Sequence, residues 1–265
     1  MEGILAQALG ALVLLGISAA SYWFHATDAW GSVSGFVLGL VIGFTSGWAW
    51  VALLISFLVL GSAATRYRYK FKLSIHAAED KRGARGFRNV IANGAVALVA
   101  SVLNFFYPSP ILPVVFVAAI ASASADTLAT EIGLLSKAKP VLITRPSSVT
   151  PPGISGGVTL LGELSAFVGS AAMALLAFAL GIIPFTSVII LAAAAGFVGC
   201  TLDSLLGSTI QSLYSCQVCN AFTEKTLHCG KPTRRIKGVA VIGNNEVNLL
   251  SDVGAALVAS LAFFL

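Results

Sequence analysis

Residues 121–157, ASASADTLATEIGLLSKAKPVLITRPSSVTPPGISGG, decide how the chain is read. A small-residue apolar helix carries two carboxylates, Asp126 and Glu131, then opens into a basic loop rich in proline and glycine. Ionisable groups are expensive inside a bilayer, so acids that interrupt a membrane-span pattern are functional candidates by default. Downstream, Lys137, Lys139 and Arg145 precede Thr150-Pro-Pro-Gly-Ile-Ser-Gly-Gly157. Glycines there would let backbone N–H groups close around phosphate oxygens, with Gly153, Gly156 and Gly157 as the candidates. Acids suited to a metal and cations suited to phosphate lie side by side.

The 265 residues are 57% hydrophobic and only 10% charged, too apolar for one soluble core. The composition predicts an all-α polytopic integral membrane bundle of about seven transmembrane helices, within a range of six to eight, as a single domain over residues 1–265. The opening MEGILAQALGALVLLGISAASYWF has no basic n-region and reads as a retained helix over residues 3–24. Cys200, Cys216, Cys219 and Cys229 are too few and too clustered for an extracellular disulfide framework, which points to a reducing compartment.

All sixteen Lys and Arg residues fall in three segments: eight in residues 66–88, three in 137–145 and five in 225–237. The positive-inside rule places all three on the cytoplasmic side, with an even number of crossings between them. The net charge of +5 therefore reports topology rather than nucleic-acid binding. Residues 90–106 and 111–135 read as a hairpin turned by Tyr107-Pro-Ser-Pro110, and 157–182 with 185–213 as a second turned near Pro184. Residues 31–61 admit two readings: one long helix, giving seven crossings and a cytoplasmic N-terminus, or two short ones broken at Gly43-Phe-Thr-Ser-Gly47, giving eight and an outside N-terminus.

Several helix ends carry polar candidates. The cation–aromatic run of residues 66–72 suits lipid headgroups or a phosphorylated ligand, or serves only as a topology anchor. Arg88, Asn89 and Asn93 open one helix, the two amides a turn apart on one face. Asp126 lies about 24 Å along its helix from Pro110, near the cytoplasmic leaflet, and Glu131 stands about 140° away around the same helix. One of the two acids would touch a metal and the other support it. The stretch AAIASASA before Asp126 allows close helix packing. Glu163 begins the next helix, and Asp203, Gly207 and Gln211 share a stripe on the return helix. Asp126-Thr-Leu and Asp203-Ser-Leu each follow a turn proline by 18–19 residues, hinting at a pseudo-repeat of two helical hairpins.

A loop over residues 214–246 holds Cys216-x2-Cys219 and, eight residues on, His228-Cys229. Three thiolates and an imidazole match tetrahedral zinc of structural type, although adjacent His228 and Cys229 make an awkward ligand pair. The loop also supplies Lys231, Arg234 and Arg235 before Asn244, Asn245, Asn248 and Asp252 lead into the last helix.

Carboxylates that hold Mg²⁺ beside cations and glycine amides that hold phosphates are what phosphoryl transfer requires. Asp126 and Asp203 are the Mg²⁺ candidates. Glu131, Arg88, Asn93 and Arg145 complete the catalytic set, and Asn89, Gly153, Gly156, Gly157, Lys231, Arg234, Arg235, Asn244, Asn245, Asn248 and Asp252 the phosphate-binding set. No Walker A motif, Rossmann fingerprint, nucleophile elbow or zinc-protease helix is present.

The motifs RNVIANG, SADTLATEIGLLS, PPGISGGV, DSLLGSTIQ, CQVC…HCG and GNNEVNLLSDVGA occur in that order over residues 88–255. In this the chain resembles the membrane family of the plant phytyl-phosphate kinase and its animal, cyanobacterial and archaeal relatives. The resemblance implies a kinase that uses an NTP, CTP or ATP, to convert an isoprenyl lipid monophosphate at the bilayer surface into the diphosphate. A lipid cytidylyltransferase or prenol kinase would need the same Mg²⁺–phosphate site. A transporter is the competing class, but transporters place their coupling acids near the bilayer midplane, and these cluster at one face.

Overall fold

The computed structural model describes residues 2–78, 83–184 and 186–264; Lys81 and Arg82 of the first basic segment lie outside them. The long helices are α1 (Glu2–Trp23), α2 (Ala29–Ser46), α3 (Trp48–Arg66), α5 (Phe87–Phe106), α6 (Ile111–Gly133), α7 (Leu160–Ala179), α8 (Thr186–Thr209) and α9 (Asn244–Ala262), with the short α4 (Tyr69–Ser74) after α3. Among the described residues, seven of them, α1 to α3 and α5 to α8, are long and apolar enough to cross a membrane. The last, α9, opens on Asn-Asn-Glu yet packs along α5, α6 and α8. Large apolar side chains such as Leu9, Leu12, Phe167 and Val168 are exposed on the outside of the bundle, as a lipid-facing surface requires.

Both proline-turned hairpins form where the hydrophobic pattern puts them, as α5–α6 and α7–α8. Residues 31–61 form the two short helices, broken at Gly47, whose φ of +98° a side chain would strain. Trp48 follows at once and settles on glycine. A Cβ at Gly43 would lie 2.8 Å from its ring, and one at Gly10 of α1 2.1 Å. The indole N–H donates to Gln7 Oε1 at 3.0 Å. Gly31 at the start of α2 and Gly61 near the end of α3 both abut Arg85, so the pair is a hairpin that returns to the basic face. That is the arrangement of two short crossings.

The sixth helix is the axis of the bundle. It packs on α3, α5, α7, α8 and α9, and every residue from Phe116 to Ala125 is buried. Small residues make this possible, because helices in lipid associate through close packing rather than a hydrophobic drive. A Cβ at Gly196 of α8 would sit 2.5 Å from Ala121, and one at Gly199 2.3 Å from the Ser122 hydroxyl.

Two loops fold rather than wander, a feature absent from the all-helical reading. Between α6 and α7, β1 (Val141–Leu142) pairs antiparallel with β2 (Arg145–Val149) and β3 (Gly157–Val158). Between α8 and α9, β4 (Leu213–Ser215) pairs with β5 (Phe222–Thr223) and β8 (Arg234–Lys237), while β6 (Leu227–His228) and β7 (Lys231–Pro232) form a separate hairpin. Lys237 Nζ donates to the carbonyls of Gly207 and Ser208, both at 2.9 Å, capping the C-terminal end of α8. Partial burial lowers the pKa of this amine.

Lys72 departs from the reading of residues 66–72 as a surface for lipid headgroups or a phosphorylated ligand, or as a topology anchor. Its side chain is fully buried, with Nζ 2.6 Å from Glu131 Oε2. The same amine donates to Ala64 O at 2.7 Å and Thr65 O at 3.2 Å, tying α4 to the end of α3 and to α6. Removing one partner of a buried, hydrogen-bonded pair strands the other charge, at a cost of about 3–5 kcal/mol. Lys72→Met is therefore expected to lower the unfolding midpoint in detergent markedly, and Lys72→Met with Glu131→Met to recover most of the loss. Equal midpoints for Lys72→Met and wild type would remove the clamp.

Candidate active site

A cleft of about 850 Å³ opens on the face where the three basic segments meet. Asp126 from α6 and Asp203 from α8 line it, with Glu163 from the first turn of α7. Around them stand Arg85, Lys137, Lys139 and Lys225, the backbone of residues 149–159, and Asn89, Asn244 and Asn248. Carboxylates, cations and glycine backbone from separate segments thus share one wall-to-wall space, as their chemistry anticipates. Asp126 and Asp203 come from facing helices, and Thr127 and Ser204 line the cleft beside them.

A polar network fastens the helices beneath the cleft. Arg85 Nη1 donates to Asn89 Oδ1 at 3.1 Å, and Asn93 Nδ2 to the Asn89 carbonyl at 2.8 Å. Asn248 Nδ2 donates to Asn93 Oδ1 at 3.3 Å in one amide orientation; in the other it donates to Asp203 Oδ2 at 3.2 Å instead, while in either case Ser251 Oγ donates to the Asn248 carbonyl at 2.9 Å. The same hydroxyl lies 3.1 Å from Asp203 Oδ2. The chain of contacts runs from the loop before α5, through α5 and α9, to the acid on α8. Asn89 and Asn93 find the partners that amides near a bilayer require.

The cations differ from expectation. Arg88 is exposed and pairs with Glu246 at 2.7 Å, off the cleft. Arg145, Arg234 and Arg235 lie on exposed strands and Lys231 on the exposed β6–β7 hairpin; none lines the cleft. Strand formation in the loops decides this by fixing which way the cations face. Arg85 takes the position instead. Its N–H donates to Ala26 O at 3.0 Å and its carbonyl accepts from Asp28 N–H at 3.0 Å, so the α1–α2 turn holds its backbone in place. No local signal distinguishes Arg85 from Arg88, because that pairing partner is some sixty residues away in sequence.

Other candidates are also relocated. Glu131 is committed to Lys72, though it still borders the cleft. Asn93 lies behind Asn89, Asp252 is 1% exposed deeper in the bundle, and neither they nor Asn245 line the cleft. The glycines serve close approach. Gly156, at φ +81°, would place a Cβ 2.4 Å from Ser208 Cβ and 2.6 Å from Ser208 N; Gly157 N–H is already bonded to the Ile154 carbonyl at 3.0 Å. The loop is thereby pressed against α8, and Ser155 Oγ hydrogen-bonds the Glu224 carboxylate of the Cys/His loop.

In that loop the ligand atoms of Cys216, Cys219, His228 and Cys229 all lie within 4.8 Å of one another. The Cys219 and Cys229 sulfurs are 3.8 Å apart, the edge expected of a tetrahedron with metal–sulfur bonds of about 2.3 Å. Adjacent His228 and Cys229 both reach the centre because Cys229 and Gly230 form the tight β6–β7 turn, at φ +51° and +71°. Such turns favour Asn, Asp or Gly, so a cysteine there is held for another purpose. N–H groups of Cys219 and Val218 hold the Cys216 thiol at about 6. Hydrogen bonding to Cys219 pushes Cys229 up to about 11.

The family described as Integral membrane protein DUF92 matches residues 12–256, a span that contains every ordered motif. The chain belongs to this family. The chain is 30% identical to Protein PGR of Arabidopsis thaliana over 91% of each chain. It is 32% identical to an uncharacterized membrane protein of Synechocystis over 69% of its own length and 71% of the relative's. Protein VTE6, chloroplastic, of Arabidopsis thaliana is 28% identical over 69% of this chain and 56% of its own length. No solved structure matches. Integral membrane character and the family resemblance drawn from the motifs both stand.

The close approach at Gly156 is testable in this DUF92 chain. Gly156→Ala forces the loop away from Ser208 and is expected to expose residues 150–158 to limited proteolysis, with a lowered unfolding midpoint. Gly3→Ala, whose Cβ meets nothing within 4 Å, is the control and should behave as wild type.

Proposed function

We propose that the protein is a membrane-embedded isoprenyl-monophosphate kinase that transfers the γ-phosphoryl group of an NTP to a prenyl phosphate of phytyl or geranylgeranyl type. The observation that carries this reading is the meeting of Asp126 and Asp203 with Lys137, Lys139, Lys225, Arg85 and the glycine-loop backbone in one cleft. Charge neutralisation and alignment are the main demands of phosphoryl transfer, and this set supplies both. The resemblance of the ordered motifs to the phytyl-phosphate kinase family supports an isoprenoid substrate. By the positive-inside rule the cleft faces the cytoplasm.

In the reaction a phosphate oxygen of the prenyl monophosphate forms a bond to the γ-phosphorus, and the bond from that phosphorus to the β–γ bridging oxygen breaks. The NDP leaves with the electron pair. The monophosphate is already anionic at neutral pH, so no strong base is needed and the acids take the metal-binding role. Asp126 and Asp203 would hold Mg²⁺, which supplies charge neutralisation between the nucleotide phosphates and the acceptor. Arg85, Lys137, Lys139 and Lys225 neutralise the remaining phosphate charge. The Arg85–Asn89–Asn93–Asn248 chain holds the cleft's α5 and α9 walls in register.

Zn²⁺ belongs to the Cys216, Cys219, His228 and Cys229 cluster in this scheme, as a structural ion that fills all four ligand positions. Its task is to hold the loop that places Glu224 and Lys225 at the cleft.

Asp126→Asn or Asp203→Asn should lower transfer from NTP to geranylgeranyl monophosphate on the order of 100-fold without unfolding the protein. Near-normal turnover in both variants would make the carboxylates structural and end the kinase reading. Elemental analysis should find about one zinc per chain, lost in Cys216→Ser. Metal-free protein that stays folded and active would refute the structural ion.

A further inference from the structure

An apolar crevice adjoins the cleft and shares residues with it. Its walls come from α1, α2, α3 and the start of α5, with Leu38, Leu54, Phe57 and Val90 among its lining side chains. Arg85 and Asn89 line both spaces. Arg85 marks the boundary between them: one side of its guanidinium donates to Asn89 at 3.1 Å, and the group stands 6.0 Å from the centre of the Phe57 ring. A polar, cation-lined space thus passes directly into a hydrocarbon-lined one.

A glycine keeps the crevice open. At Gly31 and Gly94 an added Cβ would meet the Arg85 carbonyl at 2.1 Å and Leu38 at 2.5 Å, so those glycines serve helix packing. Gly35 differs. A Cβ there would meet only Val90, at 4.0 Å, so no close helix contact requires the absence of a side chain. A mid-helix glycine costs about 1 kcal/mol relative to alanine, and here it leaves bare backbone facing the crevice. Along α2 the lining runs from Gly31 to Leu38, about 10 Å of helix.

We propose that this crevice, about 80 Å³ in volume, receives the phosphate-proximal isoprenyl unit of the substrate, with the phosphate at its Arg85 mouth in the cleft. The assignment rests on the prenyl-phosphate reading above and specifies where the chain lies. A prenyl chain already surrounded by lipid gains little from entering an apolar protein groove, so the crevice contributes orientation and selectivity rather than affinity. It fixes the distance from the first branched unit to Arg85, and hence where the acceptor oxygen stands relative to Asp126 and Asp203. An unbranched chain would not be held in that register.

The test is photolabelling in nanodiscs with a geranylgeranyl monophosphate carrying a diazirine on its phosphate-proximal unit, mapped by mass spectrometry. Wild type is expected to be labelled on residues 35–58 and 90–94. Gly35→Phe, which fills the crevice, should lose at least tenfold of that labelling, while Gly35→Ala keeps it and both bind nucleotide as wild type does. Excess unlabelled geranylgeranyl monophosphate should compete. Labelling on α7 to α9 instead, undiminished labelling in Gly35→Phe, or equal competition by a phospholipid would overturn the assignment. If Gly35→Phe fails to fold, the wild-type map decides. Labelling needs no turnover: a labelled crevice without phosphoryl transfer sinks the kinase and keeps the crevice, whereas transfer with labels elsewhere sinks only the crevice.

Discussion

A charge or amide placed between membrane helices has no water to turn to, so its partner must come from the protein itself. Lys72 and Glu131 meet that demand at 2.6 Å, with the carbonyls of Ala64 and Thr65 taking further protons of the amine. This one contact sets the end of α3, the short α4 and the acid-bearing end of α6 against one another. Asp126 lies five residues before Glu131 on the same helix, so the clamp also positions the cleft wall. The Arg85–Asn89–Asn93–Asn248 chain extends the same logic to α5 and α9. Polar groups that would be liabilities singly become the register marks of the bundle.

Close packing does the rest. Ala121 and Ser122 of α6 press against Gly196 and Gly199 of α8, which brings Asp126 and Asp203 to neighbouring walls of one cleft. On the loop side, Gly156 lets residues 150–158 touch the end of α8, and Ser155 reaches Glu224 from the Cys/His loop. Each loop is therefore anchored to a helix end and to its neighbour. A cleft built this way keeps its polar lining in place while its helices stay embedded in lipid.

The division between the polar cleft and the apolar crevice follows the division within an amphiphile. Arg85 stands at the junction because its backbone is held by the α1–α2 turn while its side chain lies between α3 and α5. The proposed phosphoryl transfer to a lipid would need such a junction: the charged end would have to reach metal, lysine and nucleotide while the chain stays out of water. A soluble active site would have to extract the whole chain, at about 0.8 kcal/mol for each methylene exposed.

The amino-acid sequence alone determined the membrane class, both proline-turned hairpins and the confinement of cations to three segments, because these depend on local composition and on the energetic cost of crossing a bilayer. It also singled out Asp126, Asp203, the two amides on α5 and the four zinc-type ligands, since acids in apolar helices and cysteine spacing are visible without a fold. Residues 31–61 stayed ambiguous because length permits one crossing or two, and only Trp48 packing on Gly10 and Gly43 selects the hairpin. The choice among cations belonged to tertiary structure. Lys72 and Arg88 carry similar charge in similar surroundings of sequence, yet one is buried against Glu131 and the other exposed beside Glu246. Arg85 enters the cleft through a backbone pairing with residues 26–28, and Arg145, Arg234 and Arg235 leave it because their loops fold into strands. Charge can be read residue by residue, but direction is set by partners far along the chain.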